Sequence, residues 1–150
     1  MANTCASLHI HVVFSTKDRA PLIAAEWRER LWSYLGGIAR ENGMKALEIG
    51  GVADHVHLLV SIPATLPVAK AVQLLKGNSS KWINETLKPP CRFQWQEGYG
   101  AFTMGISQIP VTRKYIKNQK EHHRTKPFQE EYRAFLKKHS VEIDERFLWR

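Results

Sequence analysis

Residues 50–61 read Gly50-Gly51-Val52-Ala53-Asp54-His55-Val56-His57-Leu58-Leu59-Val60-Ser61. Val56, Leu58 and Val60 alternate with His55, His57 and Leu59. Period-two alternation marks a strand with one face in a core. On such a strand His55 and His57 share a face, their Cβ atoms roughly 7 Å apart from two rises of about 3.3–3.4 Å. Two imidazoles so placed can share a metal ion, because neutral imidazole is the commonest protein ligand. On the triplet alone, two solvated histidines on the wet face of a sheet are the more ordinary outcome.

Upstream, residues 7–15 alternate in the same way. Leu8, Ile10, Val12 and Phe14 face one side, and His9, His11 and Val13 the other. This first strand carries a second His-x-His, so the triplet is not specific even within the chain. Lys17-Asp18-Arg19-Ala20-Pro21 is a basic loop. Trp27, Leu31, Tyr34, Leu35 and Ile38 recur at helical spacing and predict an amphipathic helix over 25–41, ended at Asn42-Gly43. Met44 to Ile49 is a second strand. Gly50-Gly51 is a turn or bulge, and 52–61 completes a hairpin. Pro67 opens a second helix that runs to about Leu87, weakened in its middle by Gly77-Asn78. Phe93-Gln94-Trp95 and Tyr99 to Met104 are short β-like runs. Two further helical segments follow, at 107–124 and 127–139. The order predicts an α+β fold: a ferredoxin-like βαββαβ antiparallel sheet with helices on one face, the other face open, and additional C-terminal helices. Such a superfold decides nothing about function.

A chain of 150 residues fits one domain, spanning 1–150. Its 22 Lys+Arg against 14 Asp+Glu give a formal net charge of +8. That excess suggests a polyanionic partner, nucleic acid before membrane. No apolar run approaches the ~20 residues that span a bilayer, and the first residues do not read as a signal peptide. Cys5 and Cys91 form neither a CxxC nor a disulfide framework, which fits a cytoplasmic location.

The charge is concentrated. Residues 111–127 hold six Lys or Arg against one Glu, so five of the net eight positive charges lie in seventeen residues. Tyr115 sits among Arg113, Lys114 and Lys117, with Gln119 four residues on and thus on its helix face. A packed tyrosine on a solvated basic helix is the ordinary interpretation. A free tyrosine, with a pKa near 10, is a poor nucleophile. Cations and a bound metal are the means by which it becomes a good one for a phosphodiester.

The Asp54–Val60 strand followed by a basic helix with Tyr-Ile-x-Asn-Gln-x-x-His-His resembles the single-tyrosine HUH transposases of small bacterial insertion sequences, and their REP-associated relatives. The resemblance extends to His11-Val12-Val13-Phe14-Ser15-Thr16-Lys17, to Leu75-Lys76-Gly77-Asn78-Ser79-Ser80 and to Trp95-Gln96-Glu97-Gly98-Tyr99. It implies that His55 and His57 bind a metal, that His9 and His11 are a decoy pair, that Tyr115 is the nucleophile and that Gln119 completes the metal site. It further implies a 5′-phosphotyrosine link with a free 3′-hydroxyl, single-stranded DNA hairpins as substrate, and a homodimer with Tyr115 acting in cis or in trans. Rejoining then needs no ATP, and the chain lacks the Walker A spacing of a nucleotide-cofactor site.

Two imidazoles and an amide oxygen suit Mg²⁺ or Mn²⁺, although Zn²⁺ or Ni²⁺ can bind imidazoles more tightly. Asp54 either orients a ligating histidine or caps the turn. Candidate DNA contacts are Lys17, Arg19, Lys76, Arg113, Lys114, Lys117 and Arg124, with His122 and His123 weaker candidates. Two other functions fit the fold. One is a domesticated nicking enzyme acting on dispersed palindromic repeats. The other is a non-catalytic nucleic-acid-binding module, which would carry stacking aromatics on the open sheet face.

Overall fold

The structure, a computed structural model, describes residues 4–119 and 128–138. Strand β1 (His9–Ser15) leads through two short 3-10 turns into helix α1 (Arg28–Glu41). Strands β2 (Lys45–Gly51) and β3 (His55–Ser61) follow, then helix α2 (Val68–Trp82), extended by a π turn at Ile83–Leu87. Strand β4 (Gly100–Met104) precedes helices α3 (Ile109–Lys117) and α4 (Phe128–Lys138). The four strands lie in the order β2-β3-β1-β4, all neighbours antiparallel. This is the expected α+β, βαββαβ architecture.

Alternation explains which face meets which helix. Ile10, Val12 and Phe14 of β1 and Val56, Leu58 and Val60 of β3 turn toward α1 and α2. There they join Leu31, Leu35, Ile38, Val72 and Leu75 in the main core. Trp95 stands edge-on to Phe14 and donates its indole N–H to Ser79, so its polar end is satisfied inside that core. Leu58 is fully buried, and truncating such a side chain to Ala costs about 2–5 kcal/mol.

The opposite face is not open. Val13 and Phe102 form a second cluster with Tyr132 and Leu136 of α4, and α3 packs against β2 and β3. His11, His55 and His57 are consequently buried, with His55 and His57 at 0% exposure. The expected wet histidine face is therefore corrected. The C-terminal helices supply the apolar cover that alternation within the strands could not reveal.

Three local expectations also change. Gly50-Gly51 belongs to β2, paired with His57 and Val56, and the turn is Val52–Asp54. Gly50 permits close helix packing, for a Cβ there would lie 2.5 Å from the Ile116 carbonyl oxygen of α3. Of Phe93-Gln94-Trp95 only Trp95 pairs, as a single bridge to Thr16. The expected helix over 107–124 is interrupted: α3 closes at Lys117 with Asn118 as its cap, Gln119 is helical again, and 120–124 lie outside the described residues. Arg124, His122 and His123 lie outside the described residues. No helix among the described residues is long and apolar enough to cross a membrane.

Candidate active site

The site begins at the β2–β3 turn. Val52 N–H donates to His55 O at 3.2 Å, while Asp54 O accepts from Thr16 N–H at 2.9 Å and Ala53 O from Ile23 N–H at 2.9 Å. These backbone bonds pin Asp54 just before β3 starts. It is therefore not bound by strand alternation, and its Oδ1 comes 2.8 Å from His55 Nδ1. Of the two roles open to Asp54, orienting the histidine is the one its side chain adopts.

His57 is held in a parallel manner. Its Nδ1 lies 2.9 Å from His11 Nε2 on the neighbouring strand. Both rings thus have Nδ1 engaged by a partner, which leaves Nε2 of each directed at the space under α3 and α4. Into that space Gln119 projects its Oε1, 3.2 Å from His55 Nε2, while its Nε2 donates to the Tyr115 carbonyl at 3.3 Å. Glu131 of α4 places Oε1 3.0 Å from His57 Nε2. The Tyr115 hydroxyl donates to that same Glu131 oxygen. The Tyr115 ring stands edge-on to His57, with centroids 5.6 Å apart.

The donor set fits a metal ion. His55 has acceptor oxygens on both ring nitrogens, Asp54 Oδ1 and Gln119 Oε1. A neutral imidazole carries one N–H. Two acceptors are reconciled either by an imidazolium or by a cation between Nε2 and the amide oxygen. His55, His57 and Glu131 each bring a ligand atom within 4.8 Å of the others, all buried. Burial pushes the Glu131 carboxyl up to about 8, with the negative charge of Asp54 adding to the shift.

Of the four tyrosines, Tyr115 is the one whose hydroxyl meets Glu131 in this cluster. Tyr34 stacks on Trp82, Tyr99 lies on the surface, and burial holds the Tyr132 phenol up near 12. A cleft of about 430 Å³, lined by His11, Met104, Gln108, Val111, Thr112 and Tyr115 among others, opens onto the Tyr115 ring.

The expected basic contacts scatter. Lys114 and Lys117 are exposed on α3. Arg113, half exposed, lies 3.4 Å from Glu48 and ties α3 to β2. Lys17 and Lys76 line a different cleft of about 650 Å³, and Arg19 is partly covered in the basic loop beside it. Lys76 is committed to backbone: Nζ donates to the carbonyls of Gln96, Glu97 and Gly98 at 2.5, 3.2 and 2.9 Å. Burial lowers its pKa to about 8 against the raising influence of Glu97.

Sequence reasoning missed two members. His11, set aside with His9 as a decoy, supports His57, and its signal lies in strand register rather than in the chain. Glu131 lies beside Tyr132 and about one turn and a half before Leu136, the apolar anchors of α4. A carboxylate at a core-facing helical position is the sign that was available.

The family model for IS200-like transposases matches residues 4–119. The transposase for insertion sequence element IS200 from Salmonella typhimurium is 31% identical over 126 residues, covering 81% of this chain and 82% of that protein. The ISDra2 transposase of Deinococcus radiodurans is 26% identical over 118 residues, covering 75% and 84%. Among solved structures, a transposase candidate from Deinococcus radiodurans R1 aligns with TM-score 0.64 and 26% identity, covering 79% of this chain and 95% of that one. A REP-associated tyrosine transposase bound to a REP hairpin aligns with TM-score 0.60 over 82% of this chain and 74% of that one. Its 10% identity speaks to the fold alone.

Proposed function

Because the chain belongs to the IS200-like transposase family, we propose that it is a metal-dependent transposase of single-stranded DNA. It cuts and rejoins hairpin-bearing element ends through a 5′-phosphotyrosine link. One observation carries the reading: Tyr115 and His57 meet at a single carboxylate oxygen, with His55 and Gln119 alongside in the same buried site. His55, His57 and Gln119 would hold Mg²⁺ or Mn²⁺, with Asp54 and His11 fixing the two rings through Nδ1. Such an ion, when bound, polarises the scissile phosphate and offsets the charge that builds on it.

The chain's own groups do the rest. The cleft lined by Val111 and Tyr115 is the approach for the DNA strand in this reading. The bond from the Tyr115 oxygen to phosphorus forms as the bond from phosphorus to the 3′ oxygen breaks. The phenolic proton, held in the hydrogen bond to Glu131 until then, is lost to water, and the released 3′ oxygen takes a proton from water. Tyr115 sits over its own chain's histidines, which supports action in cis, and the homodimer inferred from resemblance would add surface for DNA. Hairpin DNA as substrate has a counterpart in the structural neighbour bound to a REP hairpin. A module that binds nucleic acid on a bare sheet face is disfavoured, because α3 and α4 cover that face.

The test is a labelled single-stranded oligonucleotide from the hairpin-bearing flank, incubated with protein and Mn²⁺ and run on a denaturing gel. A shifted band that disappears with EDTA supports the reading. Tight hairpin binding with no adduct contradicts it.

A further inference from the structure

The donors assigned to the metal so far, two imidazoles and one amide, are all neutral. Mg²⁺ and Mn²⁺ are hard cations, and protein sites for Mg²⁺ ordinarily supply one or two carboxylates. Glu131 is 2% exposed and lies against both His57 and the nucleophile. Bonds of about 2.0–2.1 Å place neighbouring ligands of an octahedral ion roughly 3 Å apart. The 3.0 Å from His57 Nε2 to Glu131 Oε1 and the 3.2 Å from His55 Nε2 to Gln119 Oε1 both match that spacing. Helix α4 delivers the carboxylate from an apolar anchor, since Tyr132 and Leu136 pack on Val13 and Phe102.

We propose that Glu131 is the anionic ligand of the metal held by His55 and His57, so that α4 closes the site and completes it. This rests on the metal-dependent reading above. It assigns the C-terminal helix a direct part in the reaction: the oxygen that binds the ion is the one that positions the Tyr115 hydroxyl, which places nucleophile and ion side by side. Residues 4–119, the extent of the family match, do not include this ligand.

The experiment is Mn²⁺ titration of the full chain by calorimetry, comparing wild type, Glu131→Gln and Gln119→Ala, with circular dichroism confirming the fold of each. Glu131→Gln keeps the shape and a hydrogen-bond acceptor for Tyr115 but removes the charge. It should weaken Mn²⁺ binding tenfold or more, and by more than Gln119→Ala does. Wild-type affinity in Glu131→Gln would overturn this inference and leave the metal reading standing. Failure of the wild type to bind Mn²⁺ would overturn both. A second measurement needs no variant: crystals of the wild-type protein soaked in Mn²⁺ and examined by anomalous scattering. The peak should lie within about 2.0–2.3 Å of a Glu131 oxygen and of both Nε2 atoms. A peak held by His55, His57 and Gln119 with Glu131 turned away would refute it.

Discussion

Gly50→Ala would separate the architecture of the site from its chemistry. Gly50, on β2, pairs with His57 of β3 and faces α3. An added Cβ would lie 2.5 Å from the Ile116 carbonyl oxygen and 3.2 Å from Ile116 Cγ2. The first is a backbone atom, so a rotamer change cannot relieve it. Restoring an ordinary contact of about 3.4 Å requires α3 to retreat by roughly 0.9 Å, an order-of-magnitude displacement in a packed interior. Tyr115 precedes Ile116 and would move with it. Misplacing a reacting group by ~1 Å costs about 10²-fold in rate. Overpacking costs about 1–3 kcal/mol, partly offset by the ~0.5–1 kcal/mol that Ala gains over Gly in a strand. The expected protein is therefore folded, modestly less stable and still able to bind hairpin DNA, with single-turnover adduct formation about 100-fold slower. The assay is a time course on a denaturing gel beside a thermal melt. A wild-type rate with an unchanged or raised melting temperature would refute the reasoning, because Ala would then act only through strand propensity.

His11→Leu keeps the volume but removes the 2.9 Å contact to His57 Nδ1, and should weaken Mn²⁺ binding about 10–100-fold by calorimetry. Lys76→Met removes three bonds to the 96–98 loop and should lower stability by roughly 1–3 kcal/mol in a urea melt, with no change in the salt slope of DNA binding. Because the folded-state pKa of Lys76 is depressed to about 8 from 10.5, the wild type should gain stability relative to Lys76→Met as pH rises from about 8 to 10.5. Lys117→Gln, on exposed α3, should instead leave stability unchanged and reduce the slope of log affinity against log salt by about 1.

Much of this molecule was legible in the chain. Alternation over 7–15 and within 52–61 located the two central strands, because Ile10, Val12 and Phe14, like Val56, Leu58 and Val60, must enter one core. The same rule misjudged the opposite face. His55 and His57 look solvated in a strand pattern and become buried only through helices some sixty residues later. Gly50-Gly51 resembled a turn because glycine serves turns and close approaches alike, and only the position of Ile116 tells them apart. For Asp54 the chain leaves two options open, orienting a histidine or capping the turn. The choice depended on backbone bonds to Thr16 and Ile23 that have no local signature. His11 and Glu131 reach the site through strand register and helix docking, long-range facts that spacing does not carry. Lys76 looked like a phosphate contact because charge was visible, whereas the three carbonyls that engage it were not.

The central claim is that Tyr115 becomes covalently joined to DNA, and the most direct measurement is to find which residue carries it. The adduct formed with Mn²⁺ would be digested with nuclease and protease, and the nucleotide-bearing peptide sequenced by mass spectrometry. The account predicts a 5′-phosphate on Tyr115 and no adduct in Tyr115→Phe. A nucleotide on Tyr34, Tyr99 or Tyr132, or full adduct formation by Tyr115→Phe, would contradict it.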